Sequence, residues 1–178
     1  MLAVTLLFVV TKFCVATGAL TTIVPSQGTC RHGWINFHDS CYLFSHTVLS
    51  WPEAEEACKI IHSDLATVQT QEEVRFLKSY LNGIHAANYP AFGYWINGND
   101  LEVNKEWQWS SIQKPMNYTD WGPGEPSNHA NEDCLLLWGA FHFKMGDYYC
   151  YVRRNYICQQ KTPVVPNANL LDGWISFG

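Results

Sequence analysis

The cysteines of this chain limit its possible folds more than any other feature. The sequence contains seven, and the first, Cys14, lies in an apolar stretch that resembles a removable leader. The others are Cys30, Cys41, Cys58, Cys134, Cys150 and Cys158. An even number of cysteines in an exported chain indicates disulfides, although spacing alone leaves their connectivity open. No Cys-x-x-Cys pattern occurs, which argues against a zinc ribbon or a thiol redox motif.

The amino terminus predicts secretion. Residues 2–10 form a short apolar run, and small residues follow up to Ala19, as in a signal peptide occupying residues 1–18. An opening strand of the folded domain is the alternative interpretation. The apolar run is shorter than the roughly 20 residues that span a bilayer, and no later segment is long enough, so we expect no membrane span. The predicted location is extracellular.

The rest of the chain predicts one domain over residues 30–161 and a carboxy-terminal extension over residues 162–178. The length suits a single globular domain, and the chain contains neither an internal repeat nor a low-complexity block. The extension carries Pro163 and Pro166 and shows no helix or strand pattern.

Local patterns predict an α+β fold, in which helices come early and strands late. Capping-box patterns start one helix at Ser50 and another at Thr70, and Gly83 is the predicted end of the second. Short apolar runs predict strands over residues 41–44, 65–68, 93–96, 106–109, 134–138 and 156–159. Residues 110–133 are rich in Pro, Gly, Asn and Ser and are predicted to form an irregular loop, which at this length is usually functional.

The charge of the chain excludes some partners and favours another. It has 11 basic and 16 acidic residues, a formal net charge of −5 and no basic stripe, so we expect no binding to nucleic acid or to anionic membrane surfaces. Half of the acidic residues lie between Asp100 and Asp147, among several asparagines. Carboxylate and amide oxygens in an irregular loop suit a hard cation such as calcium. An ordinary solvated acidic loop is the alternative.

No motif indicates catalysis. The seven histidines do not form a His-Glu-x-x-His zinc site, and neither a Gly-x-Ser-x-Gly elbow nor a phosphate-binding glycine loop is present. Two carboxylates can hydrolyse a glycoside, but any acidic loop contains two. We therefore expect a binding protein and not an enzyme.

A series of short motifs runs along residues 30–158. In order they are WING at 95–98, WQW at 107–109, YTDW at 118–121, GPGEPS at 122–127, EDC at 132–134 and YIC at 156–158. Together they resemble the motifs of long-form C-type lectin domains, most of all those of the small secreted perlucin-type lectins of invertebrates. The resemblance implies a C-type lectin-like fold with two helices, a small antiparallel sheet and a long irregular ligand-binding loop. It also implies disulfides that pair Cys30 with Cys41, Cys58 with Cys158, and Cys134 with Cys150.

The same resemblance implies calcium as the cofactor and a carbohydrate site beside it. The calcium ligands of the sugar site map to Glu125, Ser127, Glu132 and Asp147. Those of a neighbouring calcium site map to Asp100, Asn104, Asn128, Glu132 and Asp133. The implied sugar contacts are Glu125, Ser127, His129 and Glu132.

Two positions of the sugar site depart from the family pattern. Ser127 and Gly146 stand where the family has asparagine, so two amide ligands are lost. Glu125 keeps its place as the first ligand, which in the family goes with mannose or N-acetylglucosamine and not with galactose. Outside this site, Asn117-Tyr118-Thr119 is an acceptor for N-glycosylation at Asn117.

Three functions follow as hypotheses. The first is a secreted, calcium-dependent lectin that binds mannose-type or N-acetylglucosamine-type glycans, for example on microbial surfaces in innate immunity. The second is an extracellular matrix protein at a calcium carbonate mineral surface, as the perlucin-type resemblance implies. The third is a calcium-independent binding domain with a degenerate sugar site. None of these determines the oligomeric state.

Overall fold

The computed structural model of the chain describes residues 26–85 and 91–165. The predicted signal peptide and most of the predicted carboxy-terminal extension lie outside these ranges. Within them, no helix is both long and apolar enough to cross a membrane.

Both predicted helices are present and begin at their capping boxes. Helix α1 spans Trp51–Ile60, and Glu53 Oε2 accepts the backbone N–H of Ser50 at 2.9 Å. Such contacts satisfy backbone donors that have no partner in the first turn of a helix. The local sequence is therefore sufficient to define where α1 starts.

Helix α2 spans Gln71–Ile84 and starts with the more complete capping box. Thr70 Oγ1 accepts the N–H of Glu73 at 3.2 Å, and Glu73 Oε2 accepts the N–H of Thr70 at 2.9 Å. The predicted end at Gly83 is wrong, because the helix continues to Ile84 and the N–H of His85 still bonds to a helix carbonyl. A glycine ends a helix most effectively in a left-handed conformation, and Gly83 does not adopt one here.

Short strands make up the rest of the fold. In the described ranges they are β1 (Ser26–Gln27), β2 (Ile35–Phe37), β3 (Ser40–Phe44), β4 (Asp64–Leu65), β5 (Gly93–Asn99), β6 (Gln108–Trp109), β7 (Lys114–Pro115), β8 (Cys134–Trp138), β9 (Lys144–Tyr148), β10 (Asn155–Lys161) and β11 (Val164–Val165).

One sheet contains nine of these strands. The order β2-β3-β10-β5-β6-β7 forms its main path, while β4 pairs with β10, β8 with β5, and β9 with β8. The predicted antiparallel sheet is confirmed apart from the pair of β10 and β5, which is parallel. Strands β1 and β11 form a separate antiparallel pair, so ordered structure continues on both sides of residues 30–161.

Several strands differ from the prediction. The predicted strand over residues 106–109 is wrong over its first half, because β6 begins at Gln108, and β1, β2, β7 and β11 were not predicted. Strand β4 ends at Leu65, so the predicted strand over residues 65–68 is wrong beyond its first residue, although Ala66, Thr67 and Val68 are buried. Strand β9 has no matching prediction, because Gly146 and Asp147 interrupt its apolar pattern. Its pairing with β8, and not its own residue pattern, makes it a strand.

The three disulfides implied by the resemblance are all present. Cys58 and Cys158 join α1 to β10 across a sequence separation of 100. In the chain-entropy model, a bond closing a loop of this size stabilises the fold by about 4–5 kcal/mol. Cys134 and Cys150 join the start of β8 to the segment after β9. They hold together the strand pair that carries the candidate site.

Candidate functional site

Asp147 lies at the centre of the site. It belongs to β9, opposite Leu135 of β8, and only 2% of it is exposed. Its carboxylate faces the loop that precedes β8: Oδ1 accepts the backbone N–H of Ser127 at 2.7 Å, and Oδ2 accepts that of Asn128 at 2.9 Å. A buried carboxylate on the sheet therefore holds the loop backbone in place.

The Ser127 hydroxyl lies among the carboxylates of the site. It donates to Glu132 Oε2 at 2.5 Å and also lies 3.3 Å from Asp147 Oδ2. Because a hydroxyl has one proton, the shorter contact, to Glu132, is the stronger hydrogen bond. The same oxygen accepts the backbone N–H of His129 at 3.3 Å. Ser127 thus connects Glu132 on the loop to Asp147 on the strand.

Glu125 and Asp147 form an acidic pair. Glu125 Oε2 accepts the backbone N–H of Asp147 at 3.3 Å. Burial, followed by the hydrogen bond to Asp147 and the charge of Asp147, raises the pKa of Glu125 to about 7. Burial acts in the same direction on Asp147, but the Glu125 carboxyl and two backbone N–H groups of the loop outweigh it and lower the Asp147 pKa. Of the two carboxyl groups, Glu125 is therefore the one that binds a proton first as the pH falls.

Gly146 provides space beside this pair. A Cβ atom at this position would lie 3.2 Å from Trp138 Cε3 and 3.5 Å from Glu125 Oε2. The first distance is tighter than most real Cβ contacts, so a larger residue would require Trp138 to shift. The loss of the family's asparagine here is consistent with the way Trp138 packs.

The loop that carries Glu125 and Ser127 is irregular, as its composition predicts. Gly124, Asn128 and Asn131 have positive φ angles of 82°, 54° and 73°, a conformation that glycine and asparagine tolerate best. The Glu125–Pro126 peptide bond is cis. The wider segment 110–133 is not entirely irregular, since it contains a short 3-10 turn at Ser110–Ile112 and strand β7.

The second predicted calcium site centres on Asp100, which is 6% exposed. Its Oδ2 accepts the backbone N–H of Lys105 at 2.7 Å, and its own N–H donates to the carbonyl of Asp133 at 3.2 Å. Its Oδ1 is buried and has no hydrogen-bond partner in the described part of the chain. Burial, with added repulsion from the charges of Asp133 and Asp147, raises the pKa of Asp100.

The structure does not bring every predicted ligand to this second site. The side-chain amide of Asn128 donates to the carbonyl of Pro126 at 2.8 Å, and Asn104 is exposed. Asp133 is half-buried and lies near enough for its charge to act on Asp100. Over residues 26–85 and 91–165, no three Asp, Glu, His or Cys side chains are arranged as a metal-binding group.

An ion-pair network fixes the start of the loop. Asp120 accepts a hydrogen bond from Lys78 of α2 at 2.8 Å and lies 3.3 Å from Lys144 of β9. Burial of Asp120 would raise its pKa, but these two cations outweigh burial and lower it.

The rings of Trp107 and Trp121 pack edge to face with centroids 5.1 Å apart. The predicted glycosylation position, Asn117, is exposed in the same segment.

Tyr149 is a site neighbour that the sequence motifs do not identify. The charge of Glu132 raises the pKa of the Tyr149 hydroxyl, so the two side chains are close enough to interact. Its ring also lies 5.6 Å from that of Tyr151. In the sequence, the tyrosines on either side of Cys150 indicate such a neighbour, because exposed aromatics beside a disulfide often belong to recognition surfaces.

Comparisons with known proteins agree on one family. Residues 47–160 match the profile described as the lectin C-type domain. The chain is 33% identical to perlucin of Haliotis laevigata over 144 residues, which covers 80% of this chain and 88% of that protein.

Solved structures give the same result. The carbohydrate-recognition domain of mouse scavenger receptor C-type lectin superposes with a TM-score of 0.68 at 29% identity, covering 77% of this chain and 100% of that one. That of cow CD23, solved in the presence of a GlcNAc2Man3 oligosaccharide, superposes with a TM-score of 0.65 at 30% identity, covering 76% and 98%. These similarities confirm the predicted fold.

Proposed function

Since the chain belongs to the C-type lectin domain family, we propose that it is a secreted lectin that binds glycans through the loop containing Glu125 and Ser127. The observation that carries the proposal is the contact of this loop with Asp147, which gathers three carboxylates and one hydroxyl. Such a set of acceptors, with one rotatable donor, matches the hydroxyl groups of a sugar. The proposed activity is binding without catalysis.

The proposed glycans are of the mannose or N-acetylglucosamine type. Glu125 keeps the position of the first family ligand, and its carboxyl accepts hydrogen bonds when ionised. Ser127 has a shorter reach than the asparagine of the family pattern, so we expect weaker and less selective recognition. His129 is exposed two residues further on, where its ring is free to contact a bound sugar. Microbial surface glycans are the proposed natural partners, in innate immunity.

Calcium is part of the proposal. The site around Asp100 suits a cation because Asp100 Oδ1 is a buried carboxylate oxygen whose negative charge no hydrogen-bond donor offsets within the described residues. Asp133 is the proposed second ligand there. Bound calcium would neutralise these carboxylates and so support the loop beside them.

The sugar site fits calcium less directly. Its oxygen donors have the right chemistry, but those of Asp147 and Glu132 already accept hydrogen bonds from Ser127 and Asn128. To act as ligands, Glu132 must release the Ser127 hydroxyl, Asp147 must bind through lone pairs that the N–H groups of Ser127 and Asn128 leave open, and Glu125 must be ionised. We therefore propose Glu125, Glu132 and Asp147 as weak ligands, with Ser127 supplementary.

Binding to calcium carbonate mineral is a second candidate function. It is favoured by the exposed acids Glu102 and Glu106, which lie next to the Asp100 site, and by the similarity to perlucin. Replacing both acids by glutamine should then reduce adsorption to calcium carbonate crystals. Glu56→Gln, which removes an exposed acid from α1, is the matched control.

The test of the lectin proposal is a glycan array probed with the secreted protein in calcium and again in excess chelator. We expect binding to mannose-type or N-acetylglucosamine-type glycans that the chelator removes. Binding that survives the chelator would favour the calcium-independent alternative. An absence of binding to any glycan, with the protein folded by circular dichroism, would contradict the lectin function itself.

A further inference from the structure

A groove of about 480 Å³ lies beside the proposed glycan site. Its walls come from the first turn of α1, the loop after β5, the end of the long loop and the segment after β9. The side chains used below are Glu53, Leu101, Asn131, Asp133, Tyr151 and Arg153.

The groove adjoins the proposed glycan site along the chain. Asn131 and Asp133, which line it, flank Glu132 in the chain, and Glu132 accepts the Ser127 hydroxyl hydrogen bond. The charge of Glu132 also acts on the Tyr149 hydroxyl, and the Tyr149 ring lies 5.6 Å from that of Tyr151, which lines the groove. A ligand held at Ser127 therefore reaches the groove by extending past Glu132.

The groove presents apolar surface that folding leaves uncovered. Tyr151 is 72% exposed and Leu101 is 56% exposed, although both are large hydrophobic residues. The face of a pyranose ring that carries its C–H groups is apolar and rigid, so it can stack on the exposed part of a tyrosine ring. An aromatic ring at the mouth of an open groove suits a sugar better than it suits a flexible acyl chain.

The polar groups of the groove are held in position. Arg153 Nη1 donates to Glu53 Oε2 at 3.1 Å, and Arg153 Nη2 donates to the carbonyl of Val48 at 2.9 Å. Asp133 and Glu53 are negative and Arg153 is positive, so the lining has an excess of one negative charge. This balance disfavours acidic sugars and phosphates and leaves acceptors for the hydroxyls of a neutral ligand.

We propose that this groove is a second sugar subsite. It takes a neutral hexose or N-acetylhexosamine of the same glycan whose terminal residue lies at Ser127, with Tyr151 stacking on the ring and the pair of Glu53 and Arg153 meeting its hydroxyls. The inference rests on the proposed lectin function, and it predicts that the protein selects oligosaccharides over monosaccharides.

The test compares two probes of one chemistry, N-acetylglucosamine and chitotetraose, by calorimetric titration, with mannose and mannotetraose as a parallel pair. For the sugar type that binds, the wild-type protein should bind the tetrasaccharide more tightly than the monosaccharide. Tyr151→Ala should weaken tetrasaccharide binding by about three- to tenfold, as expected for one aromatic contact, and leave monosaccharide binding unchanged. Tyr151→Phe should keep the wild-type preference, and Leu101→Ala should reduce it.

Ile60→Ala is the control, because Ile60 is 69% exposed on α1 and does not line the groove. Retained monosaccharide binding by each variant also shows that it is folded. Equal tetrasaccharide affinity for wild type, Tyr151→Ala and Leu101→Ala would overturn the subsite while leaving the lectin function intact. If the wild-type protein bound none of the four sugars, the proposed function and this inference would both fail.

Discussion

Ser127 donates its backbone N–H to Asp147 Oδ1 at 2.7 Å, although the two residues lie 20 positions apart in the chain. The acceptor is almost completely buried on β9, whereas the donor belongs to an irregular loop at the surface. Asp147 therefore shapes the loop, and in the proposed site it would also provide charge to a bound ligand.

Replacing Asp147 by alanine should abolish glycan binding and lower the melting temperature. The change leaves the N–H groups of Ser127 and Asn128 without their acceptor, and hydrogen bonds to a buried charged group are each worth about 1.5–3 kcal/mol. Glycan retention and thermal melting measure the two effects. Glu56→Ala, which removes an exposed acid from α1, should change neither, and wild-type retention by the Asp147 variant would refute its role in the site.

Replacing Ser127 by asparagine should strengthen both calcium and mannose-type binding. Asparagine restores an amide that can ligate calcium through its oxygen and donate to a sugar hydroxyl through its nitrogen. For the wild-type protein we expect a calcium dissociation constant of about 10⁻⁴–10⁻³ M, the range of extracellular modules. Calcium titration of the wild-type protein and of Ser127→Asn measures the change. Ser127→Ala, which has neither a hydroxyl nor an amide, is the control. An unaltered affinity in Ser127→Asn, together with glycan binding that ignores chelator, would rule out the calcium mechanism.

On mild acidification, His85 should reduce the stability of the fold relative to a variant that lacks this histidine. Burial lowers the pKa of His85 from its usual 6.5, where the ring stacks on Phe92 and contacts the Tyr94 hydroxyl at 2.7 Å. Because the folded-state pKa is below the unfolded value, this contribution is present above pH 6.5 and is lost as the pH falls through the folded-state pKa.

His85→Phe, which keeps an aromatic ring but cannot titrate, isolates this effect. The free energy of unfolding is measured for both proteins by denaturant titration between about pH 7.5 and about pH 5, and the value for wild type minus that for the variant should fall as the pH falls. The constant cost of losing the Tyr94 contact does not affect the comparison of slopes. Parallel pH profiles would show that His85 does not contribute to the pH dependence.

The protein recovered from a secreting host should begin between Ala16 and Leu20 and contain no free thiol. The amino-terminal apolar run predicts this cleavage site, and the described cysteines are paired in three disulfides. Intact-mass analysis after alkylation without reduction tests both points. An alkylated cysteine, or a mass that retains residues 1–15, would contradict the prediction.

Asn117 should carry an N-linked glycan in part of the molecules made by a eukaryotic host. Its side chain is exposed, and Thr119 completes the acceptor sequence. Treatment with a glycosidase should reduce the mass of this fraction, and Asn117→Gln should remove the heavier species without changing thermal stability. A single unshifted mass before and after treatment would show that the acceptor is unused.

Elements whose start or extent depends only on residues nearby in the chain were predictable from the sequence. The starts of α1 and α2 follow from capping boxes that close within three residues, at Ser50 with Glu53 and at Thr70 with Glu73. Strand β8 follows from an uninterrupted apolar run that the sheet buries. The end of α2 was missed because it depends on how the chain continues after Gly83 and not on the glycine alone.

Local chemistry and the order of the motifs thus determined the two helices, most of the strands, the family and the loop in which a site should lie. Only the tertiary structure decided how that site is arranged: β9 becomes a strand through its register with β8, and this register turns Asp147 toward Ser127. The same packing leaves Asp100 Oδ1 buried without a partner in the described chain and places Tyr149 against Glu132. The physical reason is that hydrogen bonds, burial and charge between distant residues depend on strand pairing and disulfide closure, which no short stretch of residues specifies.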